Sequence, residues 1–409
     1  MSKSVAIISS GYFPVPAVRG GAVETLIEKI AISNEVNKQF DLIVYSTFDK
    51  EAKDKEKEYN NTKFVFIQNK WLVEWIDRVI YYFAKKIIRT DKQMSFRFIM
   101  HRVAYIVEVA KQLKKNDYDY LIIENTATLF WCVKLFGNEK KYQDKIYYHL
   151  HNEIGSAFGC KDIISHSQKI IGVSSYINET IKQRFPNIKS TKYQVLYNVI
   201  DVKHICKQSD SRRDLRCKFG FLDTDIVIIY VGRLCKEKGT KELIEAFNAI
   251  EQKNIKLLIV GSFYFGADLK GDFEKQLHKL VEKKKNRIVF TGFVSNSDIG
   301  KYYHCADIAV LPSIWNEPAG LTMIEAMAAG LPVITTNSGG IPEYVGNDSA
   351  IIIDKNAENF TDDLKEKIIE LTNDSEARKT MGKRALEKSQ KYDSSEYVKK
   401  LADILERGK

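Results

Sequence analysis

Short runs of apolar residues alternate along the chain with longer segments in which apolar residues recur every three or four positions. The first series of runs covers residues 5–9, 41–46, 63–68, 119–125, 145–152 and 169–175. The second series covers residues 225–233, 256–262, 287–293, 307–313, 331–336 and 350–354. Buried runs that alternate with helices are typical of parallel sheets built from βαβ units.

The two series predict two doubly wound α/β domains of similar size. We place the boundary within residues 195–210, and assign residues 1–200 to an N-terminal Rossmann-like domain and residues 201–388 to a C-terminal one. In such folds, ligands bind at the carboxyl ends of the parallel strands. The sequence therefore predicts a ligand site in a central cleft that the two domains face.

The composition is that of a globular protein. Of 409 residues, 44% are hydrophobic and 28% are charged, which excludes disordered, collagen-like and low-complexity chains. The formal net charge is +10. A basic surplus favours anionic partners, namely nucleic acid, nucleotide phosphates or an anionic membrane, although it serves solubility equally well.

Six cysteines are spread along the chain without a C-x-x-C pair, which predicts reduced thiols in a cytoplasm. They are Cys132, Cys160, Cys206, Cys217, Cys235 and Cys305. The N-terminus runs directly into a predicted strand, and we expect no signal peptide. No uncharged apolar run approaches about 18 residues, so we predict no transmembrane helix.

Residues 70–115 form the most basic stretch, with eleven Lys and Arg against four Asp and Glu. Its interleaved aromatic residues are Trp71, Trp75, Tyr81, Tyr82, Phe83, Phe96 and Phe98. A basic amphipathic helix with aromatic residues can lie on an anionic membrane. It can equally be a surface helix whose apolar face enters the core. Since no nucleic-acid-binding motif accompanies it, we predict no nucleic-acid partner.

Candidate phosphate-binding chemistry is concentrated in residues 305–345. A predicted strand ends in a loop that carries Glu317, and a helix begins after Gly320. Free amides at the N-terminus of that helix, together with the helix dipole, can bind a phosphate. Glu325 lies four residues after Leu321 and shares its helix face. Its carboxylate can therefore accept hydrogen bonds from vicinal hydroxyls such as those of a ribose.

These segments together resemble the family-four glycosyltransferases, which have the GT-B fold and an E-x7-E signature. In this chain, the signature is EPAGLTMIEAMAAGLPVI, with Glu317 and Glu325 as its two glutamates. Other matching segments are RGGAVETL (19–26), LYNVID (196–201), VGRLCKEKGTKELIEAF (231–247), FTGFV (290–294) and SGGIPEYV (338–345). Val199 stands where the family usually has glycine. The resemblance covers both predicted domains and implies the GT-B fold.

The resemblance implies transfer of a sugar from a nucleotide-sugar to an acceptor hydroxyl, with retention of the anomeric configuration. Arg233 and Lys238 would neutralise the diphosphate leaving group in place of a metal. Glu317 would contact the donor sugar or stabilise its oxocarbenium-like state, and Glu325 would hold the nucleotide ribose. The other residues implied in donor binding are Gly20, Gly21, Gly292, Phe293, Val294, Pro318, Ala319, Gly320, Leu321 and Thr322.

His149 and His151 lie two residues apart near the end of a predicted strand, so they face the same side. In the resembled family, a histidine at the end of this strand contacts the donor sugar, and we choose His151 for that role. A buried structural histidine is the alternative for each. Their spacing indicates no metal site, and we predict no metal and no cofactor. Ser174 and Ser175 either reach the cleft or cap the next helix.

The last segment, residues 356–409, is predicted to be helical. In the resembled fold, the final helix packs back on the first domain. We expect the helix at about 389–409 to do so here. Its predicted apolar face consists of Tyr392, Tyr397, Leu401 and Leu405.

We therefore predict a cytoplasmic glycosyltransferase of the hexosyltransferase class, with a UDP-sugar as the expected donor and a GDP-sugar as the alternative. The expected acceptor is a lipid-linked glycan intermediate of bacterial surface polysaccharide (capsule) synthesis. Peripheral binding to the inner face of the plasma membrane, through residues 70–115, is a further hypothesis. Two alternatives remain: a nucleotide-sugar epimerase or phosphorylase of the same fold, and a non-catalytic partner subunit of a transferase.

Overall fold

The computed structural model describes residues 2–68, 71–87, 98–209, 212–262 and 272–407. The chain divides into two compact units. Unit 1 comprises Met1–Tyr197 and Ser394–Lys409, and unit 2 comprises Asn198–Asp393. Each unit contains one parallel sheet and its own buried core.

The sheet of unit 1 has seven strands in the order β3-β2-β1-β4-β5-β6-β7, and all of its strand pairs are parallel. The strands are β1 (Lys3–Ile8), β2 (Phe40–Thr47), β3 (Thr62–Ile67), β4 (Tyr120–Glu124), β5 (Ile146–Leu150), β6 (Lys169–Gly172) and β7 (Tyr193–Val195). Residues 5–8 and 121–123 in its centre are completely buried. Because both faces of this sheet are buried, each of these strands is a continuous apolar run in the sequence.

The α-helices before residue 198 connect these strands. They are α1 (Ala22–Asn37), α2 (Lys50–Lys55), α3 (Trp71–Ile87), α4 (Ile99–Lys115), α5 (Trp131–Lys134), α6 (Asn138–Tyr142), α7 (Lys161–His166) and α8 (Ser175–Arg184). Ser174 caps the last of them, because its hydroxyl accepts from the amide of Ile177 at 3.2 Å. Of the two roles that the sequence leaves open for Ser174, helix capping is the one observed.

The sheet of unit 2 has six strands in the order β10-β9-β8-β11-β12-β13, again with parallel pairs only. The strands are β8 (Ile226–Val231), β9 (Ile255–Val260), β10 (Ile288–Gly292), β11 (Ile308–Leu311), β12 (Val333–Thr336) and β13 (Ala350–Ile353). The helices are α9 (Val202–Cys206), α10 (Arg212–Phe219), α11 (Thr240–Asn248), α12 (Asp272–Val281), α13 (Ile299–Cys305), α14 (Leu321–Ala328), α15 (Ile341–Val345), α16 (Phe360–Asn373) and α17 (Ser375–Ser389).

All twelve strands predicted from apolar runs are confirmed, and one strand was not predicted. The missed strand, β7, is three residues long and lies at the edge of its sheet. Its sequence, Tyr193–Val195, is too short to form an apolar run, and two of its three residues are only partly buried. An edge strand packs against one neighbour only, so its sequence carries a weaker signal than that of a central strand.

The C-terminal segment differs from its prediction, because residues 389–405 do not form one helix. The final helix, α18 (Tyr397–Glu406), is shorter, and two single 3₁₀ turns precede it. Tyr392 is not part of its apolar face: the Tyr392 ring stacks on Tyr344 of unit 2, with centroids 5.2 Å apart.

Helix α18 packs on helix α1 within unit 1. Its apolar side chains Tyr397, Val398, Leu401 and Leu405 are buried there. The hydroxyl of Tyr147, on strand β5, donates to the carbonyl of Leu405 at 3.1 Å.

The basic stretch contains two helices, α3 and α4, rather than one. Buried Asp77 of α3 accepts from the amides of Met100 and His101, both at 2.8 Å, and thereby binds the N-terminus of α4. Lys70, Phe96 and the rest of 88–97 lie outside the described residues. No helix in the described ranges is long and apolar enough to cross a membrane.

Removing α18 should unfold unit 1. A chain that ends after Asp393 keeps Tyr392 but exposes the face of α1 that α18 covers. We expect a loss on the order of 5 kcal/mol, since each buried apolar side chain contributes about 1.5–3 kcal/mol. Thermal unfolding followed by circular dichroism measures the effect. A chain that ends after Glu406 is the matched control and should melt like the full chain, and equal melting temperatures for the two truncations would contradict this role of α18.

Candidate active site

Glu317 lies in the loop after strand β11 and is bound by two side chains. The Nζ atom of Lys238 lies 2.6 Å from Glu317 Oε1, and the hydroxyl of Ser313 donates to the same oxygen at 2.7 Å. Glu317 is buried, whereas Lys238 is partly exposed. Because burial of an unpaired carboxylate is costly, this pairing fixes the position of the Glu317 side chain.

Two glycines allow the backbone to come this close. Gly239 has a φ of 69°, and a Cβ there would lie 1.9 Å from the carbonyl oxygen of Pro312. Gly339 has a φ of 56°, and a Cβ there would lie 2.3 Å from the carbonyl oxygen of Glu317. Both positions therefore require glycine. As a result, the turn that carries Lys238 packs directly against the strand end that leads to Glu317.

Arg233 follows strand β8, and its side chain is exposed. Its carbonyl oxygen accepts a hydrogen bond of 2.9 Å from the hydroxyl of Tyr230, which holds the backbone in place. Across the described ranges, the Arg233 guanidinium forms no ion pair. The segment after β8 therefore carries the exposed cation Arg233 and the cation Lys238, which is bound to Glu317.

Helix α14 begins directly after Gly320, with no side chain capping its N-terminus. The amides of its first turn cannot bond within the helix. Leu321 and Thr322 lie in this turn and are partly exposed. Such a terminus attracts anions through its free N–H groups and the helix dipole. The loop that carries Glu317 therefore leads directly into a helix N-terminus that can bind an anion.

Glu325 lies one turn into α14 and contacts a buried tyrosine. The hydroxyl of Tyr303 lies 3.1 Å from Glu325 Oε2 and 3.0 Å from the carbonyl oxygen of Thr322. Burial of the Tyr303 phenol, and its proximity to the Glu325 carboxylate, raise the pKa of Tyr303 well above its usual value. The phenol therefore stays protonated and acts as a hydrogen-bond donor.

The remaining predicted donor residues of unit 2 lie in two places. Pro318 and Ala319 are partly buried between Glu317 and α14. Gly292 is the last residue of β10, and Phe293 and Val294 lie in the loop that follows it. Gly292 has a φ of 74°, the Phe293 side chain is 60% exposed, and Val294 packs against the core.

In unit 1, Gly20 and Gly21 lie in the loop before α1 and have φ values of 77° and 98°. A Cβ on Gly21 would lie 2.3 Å from Oε2 of Glu24, whereas Gly20 faces open space. Glu24 is buried and accepts a hydrogen bond of 2.5 Å from the hydroxyl of Ser10. Burial raises the pKa of the Glu24 carboxyl. Gly21 therefore leaves room for a carboxyl that the sequence analysis did not identify.

His149 and His151 share one buried partner, Glu124, at the end of strand β4. Nδ1 of His149 lies 3.1 Å from Glu124 Oε1, and Nε2 of His151 lies 2.9 Å from Oε2. The two rings have centroids 4.3 Å apart, which confirms that they face the same side of β5. The second ring nitrogen of each histidine is buried without a hydrogen-bond partner among the described residues.

The charges of this cluster influence each other strongly. Burial of Glu124 opposes its ionisation, but attraction by His149 and hydrogen bonds from both histidines outweigh burial and lower its pKa to about 2. Burial and the neighbouring His149 lower the pKa of His151. The cluster therefore consists of an ionised carboxylate and, at His151, a ring that is harder to protonate than free histidine.

The same three residues have the geometry of a metal-ligand set. One ligand atom from each of Glu124, His149 and His151 lies within 4.8 Å of the others, the sole such group of three in the described part of the chain. Direct hydrogen bonds already join the three side chains through one ring nitrogen of each histidine. The expectation of a metal-independent reaction stays a prediction.

Comparison with known proteins identifies the family. Residues 211–388 match the family described as glycosyl transferases group 1. Spore coat protein SA of Bacillus subtilis (strain 168) is 31% identical over 398 residues, which cover 93% of this chain and 92% of that protein. The chain belongs to the group 1 glycosyltransferases.

Other similarities agree with this assignment. The putative glycosyltransferase YtcC of Bacillus subtilis (strain 168) is 30% identical over 364 residues, covering 86% of this chain and 79% of that protein. The crystal structure of HepE from Anabaena, in complex with UDP and glucose, superposes with a TM-score of 0.71 at 19% identity, over 98% of this chain and 99% of that one. This glycosyltransferase therefore has two Rossmann-like domains of the GT-B fold.

Sequence reasoning missed several polar partners of the glycosyltransferase's candidate residues. Tyr303 and Glu124 contact predicted residues from distant parts of the chain, whereas Ser313 contacts Glu317 four residues further along the same loop. A polar residue at the carboxyl end of a buried strand was the available signal for Ser313 and Glu124. Tyr303 lies within a helix pattern and carries no such signal.

Substitution of Glu124 should destabilise unit 1. In E124Q, both buried histidines lose their charged acceptor, which should cost about 1–3 kcal/mol at pH 7.5. Because the folded-state pKa of about 2 lies below the ordinary value of 4.5, the carboxylate stabilises the fold above pH 4.5 and loses this effect as the pH falls towards 2. The difference between wild type and E124Q should therefore shrink over that interval.

Urea unfolding at several pH values measures this difference. The exposed Glu139, on helix α6, provides the matched control E139Q, which should stay within about 0.5 kcal/mol of wild type. If E124Q and E139Q have equal stability at pH 7.5, the proposed role of the buried carboxylate is wrong.

Proposed function

We propose that this glycosyltransferase is a retaining, metal-independent enzyme of family four that transfers a sugar from a UDP-sugar to an acceptor hydroxyl. The observation that carries the proposal is the pairing of Lys238 with buried Glu317, directly before the uncapped N-terminus of α14. Together they combine a fixed carboxylate, cations and free amides, the groups that a sugar linked to a diphosphate requires.

The diphosphate is proposed to bind at the first turn of α14, with Arg233 and Lys238 as its cations. Fixed amides and cations placed where negative charge develops stabilise a departing diphosphate without reorganisation. In the proposed step, the bond between the anomeric carbon and the phosphate oxygen breaks. UDP leaves with the electron pair, the acceptor oxygen bonds to the same face of the sugar, and the hydroxyl proton passes to the departing phosphate.

Glu317 and Glu325 are proposed to bind opposite ends of the donor. Glu317 would contact the sugar or its oxocarbenium-like state, and Glu325, held by Tyr303, would accept from the ribose hydroxyls. The resemblance also supports His151 as a residue that contacts the donor sugar. The UDP and glucose in HepE, a structure of the same fold, support the choice of a UDP-sugar.

The proposed acceptor is a lipid-linked glycan intermediate of surface polysaccharide synthesis, reached at the cytoplasmic face of a membrane. Helix α3 supports a membrane-facing role, because large apolar side chains lie on its exposed surface. Trp71 is 76% exposed and Ile87 77%, and Trp75, Tyr82 and Phe83 are more than half exposed. The exposed residues Arg78, Lys85 and Lys86 supply positive charge on the same helix.

A panel of nucleotide-sugars in the presence of EDTA tests the donor site. One UDP-sugar should raise the melting temperature and be hydrolysed slowly to UDP. In R233A and E325A, we expect the rise in melting temperature and the rate of hydrolysis each to be at least tenfold smaller. Each variant removes a charged hydrogen-bonding group. The matched control R213A, at an exposed arginine of helix α10, should behave like wild type.

Other results of the nucleotide-sugar panel would contradict specific parts of the proposal. Stabilisation by a GDP-sugar alone would replace the proposed donor, and loss of hydrolysis in EDTA would refute metal independence. Conversion of the sugar without an acceptor would indicate an epimerase. If no nucleotide-sugar raises the melting temperature, the catalytic assignment fails in favour of a partner subunit.

Liposome flotation tests the membrane proposal. Wild type should float with vesicles that contain anionic phosphatidylglycerol, more at low salt than at high salt, and bind neutral phosphatidylcholine vesicles weakly. The double variant W71S/W75S should lose most of this binding. L222S, which removes a 65% exposed leucine of unit 2, is the control and should float like wild type. Equal flotation of both variants would contradict a role for α3.

A further inference from the structure

Unit 1 contains an apolar groove of about 990 Å³ that the proposed donor chemistry does not use. Its volume lies at the upper end of the range of about 300–1,000 Å³ found for small-molecule sites. One wall is helix α4, which contributes Ile99, Arg102, Val103, Ile106 and Val107. These positions follow the i, i+3, i+4, i+7, i+8 spacing of a single helix face.

These residues form one flank of the apolar face of α4. The rest of that face enters the core. Tyr105, Ile106, Val109, Ala110 and Leu113 are buried, so Ile106 belongs to both the core and the groove wall. An amphipathic helix buries its apolar face, but Val103, on the flank of this face, is 46% exposed. The apolar face of α4 therefore extends beyond the part that is buried in the core.

The opposite wall consists of loops that follow three neighbouring strands. Tyr12 follows β1, Thr128 follows β4, and Phe158 follows β5. The indole N–H of Trp131 donates to the carbonyl of Phe158 at 3.0 Å, which fixes two aromatic residues of this wall. The groove thus lies at the carboxyl edge of the sheet, the edge at which ligands bind in doubly wound folds.

One charged side chain lines the otherwise apolar groove. The guanidinium of Arg102 lies 4.5 Å from the centroid of the Tyr12 ring. Its Nε and Nη2 atoms are buried and have no hydrogen-bond partner among the residues that the structure describes. A cation–π contact offsets only part of the cost of removing a guanidinium from water. A ligand with an anionic group beside an apolar chain would match both the guanidinium and the groove.

We propose that this groove binds the hydrocarbon chain of a phosphate-linked lipid, with the lipid phosphate paired to Arg102. The inference rests on the proposed function, since such a lipid is the carrier of the acceptor glycan. The groove and the buried cluster of Glu124, His149 and His151 lie at the same edge of the sheet, because Glu124 ends β4 and the histidines end β5. A lipid held there would present its glycan at that edge.

Dodecyl phosphate, below its critical micelle concentration, is the probe, and isothermal titration calorimetry measures its binding to the full chain. We expect saturable binding that is at least tenfold tighter than that of dodecan-1-ol, which lacks the charge. Inorganic phosphate, which lacks the chain, should bind at least a hundredfold more weakly. Equal affinity for dodecyl phosphate and dodecan-1-ol would refute the role of Arg102, and equal affinity for inorganic phosphate would refute the role of the groove.

Two variants locate the site. V103D places a carboxylate in the groove and should weaken dodecyl phosphate binding at least tenfold. R102Q should weaken binding of dodecyl phosphate to a similar extent but leave dodecan-1-ol binding unchanged. The matched control V36D changes a 76% exposed valine of α1 and should bind like wild type. Melting temperatures verify that each variant is folded, and undiminished binding by folded V103D would overturn the proposal.

Failure of this inference differs from failure of the proposed function. If wild type hydrolyses a nucleotide-sugar but does not bind dodecyl phosphate, the groove assignment is wrong and the transferase assignment stands. If wild type binds dodecyl phosphate through Arg102 but neither binds nor hydrolyses any nucleotide-sugar, the groove is a lipid site and the donor assignment is wrong.

Discussion

Parallel strand pairing is the constraint on which both candidate sites depend. When all strands of a sheet run in the same direction, their carboxyl ends lie at one edge, and the loops that follow neighbouring strands meet there. Strands β8 and β11 are neighbours in unit 2, so Lys238 and Glu317, 79 residues apart in sequence, form an ion pair. Strands β4 and β5 are neighbours in unit 1, and Glu124 consequently contacts both histidines.

The pairing of charged side chains differs between these two sites and the apolar groove of unit 1. Glu317 and Glu124 are buried, and each is paired by cationic or polar side chains from the adjoining strand end. Burial of a charge is tolerated when the partner groups are fixed by the fold. Arg102 has two buried guanidinium nitrogens beside an aromatic ring but lacks an anion among the described residues. The charges of Glu317 and Glu124 are thus paired within the fold, whereas that of Arg102 is available to a ligand.

Much of the fold could be predicted from the sequence because parallel sheets are buried on both faces. Each central strand has to be apolar at nearly every position, so twelve strands could be recognised in the sequence as apolar runs. The exception, β7, is short and lies at an edge. The C-terminal segment was misjudged for a related reason: Tyr392 and Tyr397 are both buried, and burial pattern alone does not reveal that they pack in different units.

The sequence by itself determined the fold class, the family and the positions of glycine, carboxylate and cation that characterise the Glu317 loop. Those features are local, since a glycine with positive φ or an uncapped helix N-terminus depends on residues close in the chain. Only the tertiary structure decided which side chains become partners. The contact of Tyr303 with Glu325 and that of Glu124 with two histidines depend on helix packing and strand order, whereas Ser313 contacts Glu317 within one loop. The apolar groove arises in the same way, because its walls come from one helix face and three loops that the sheet brings together.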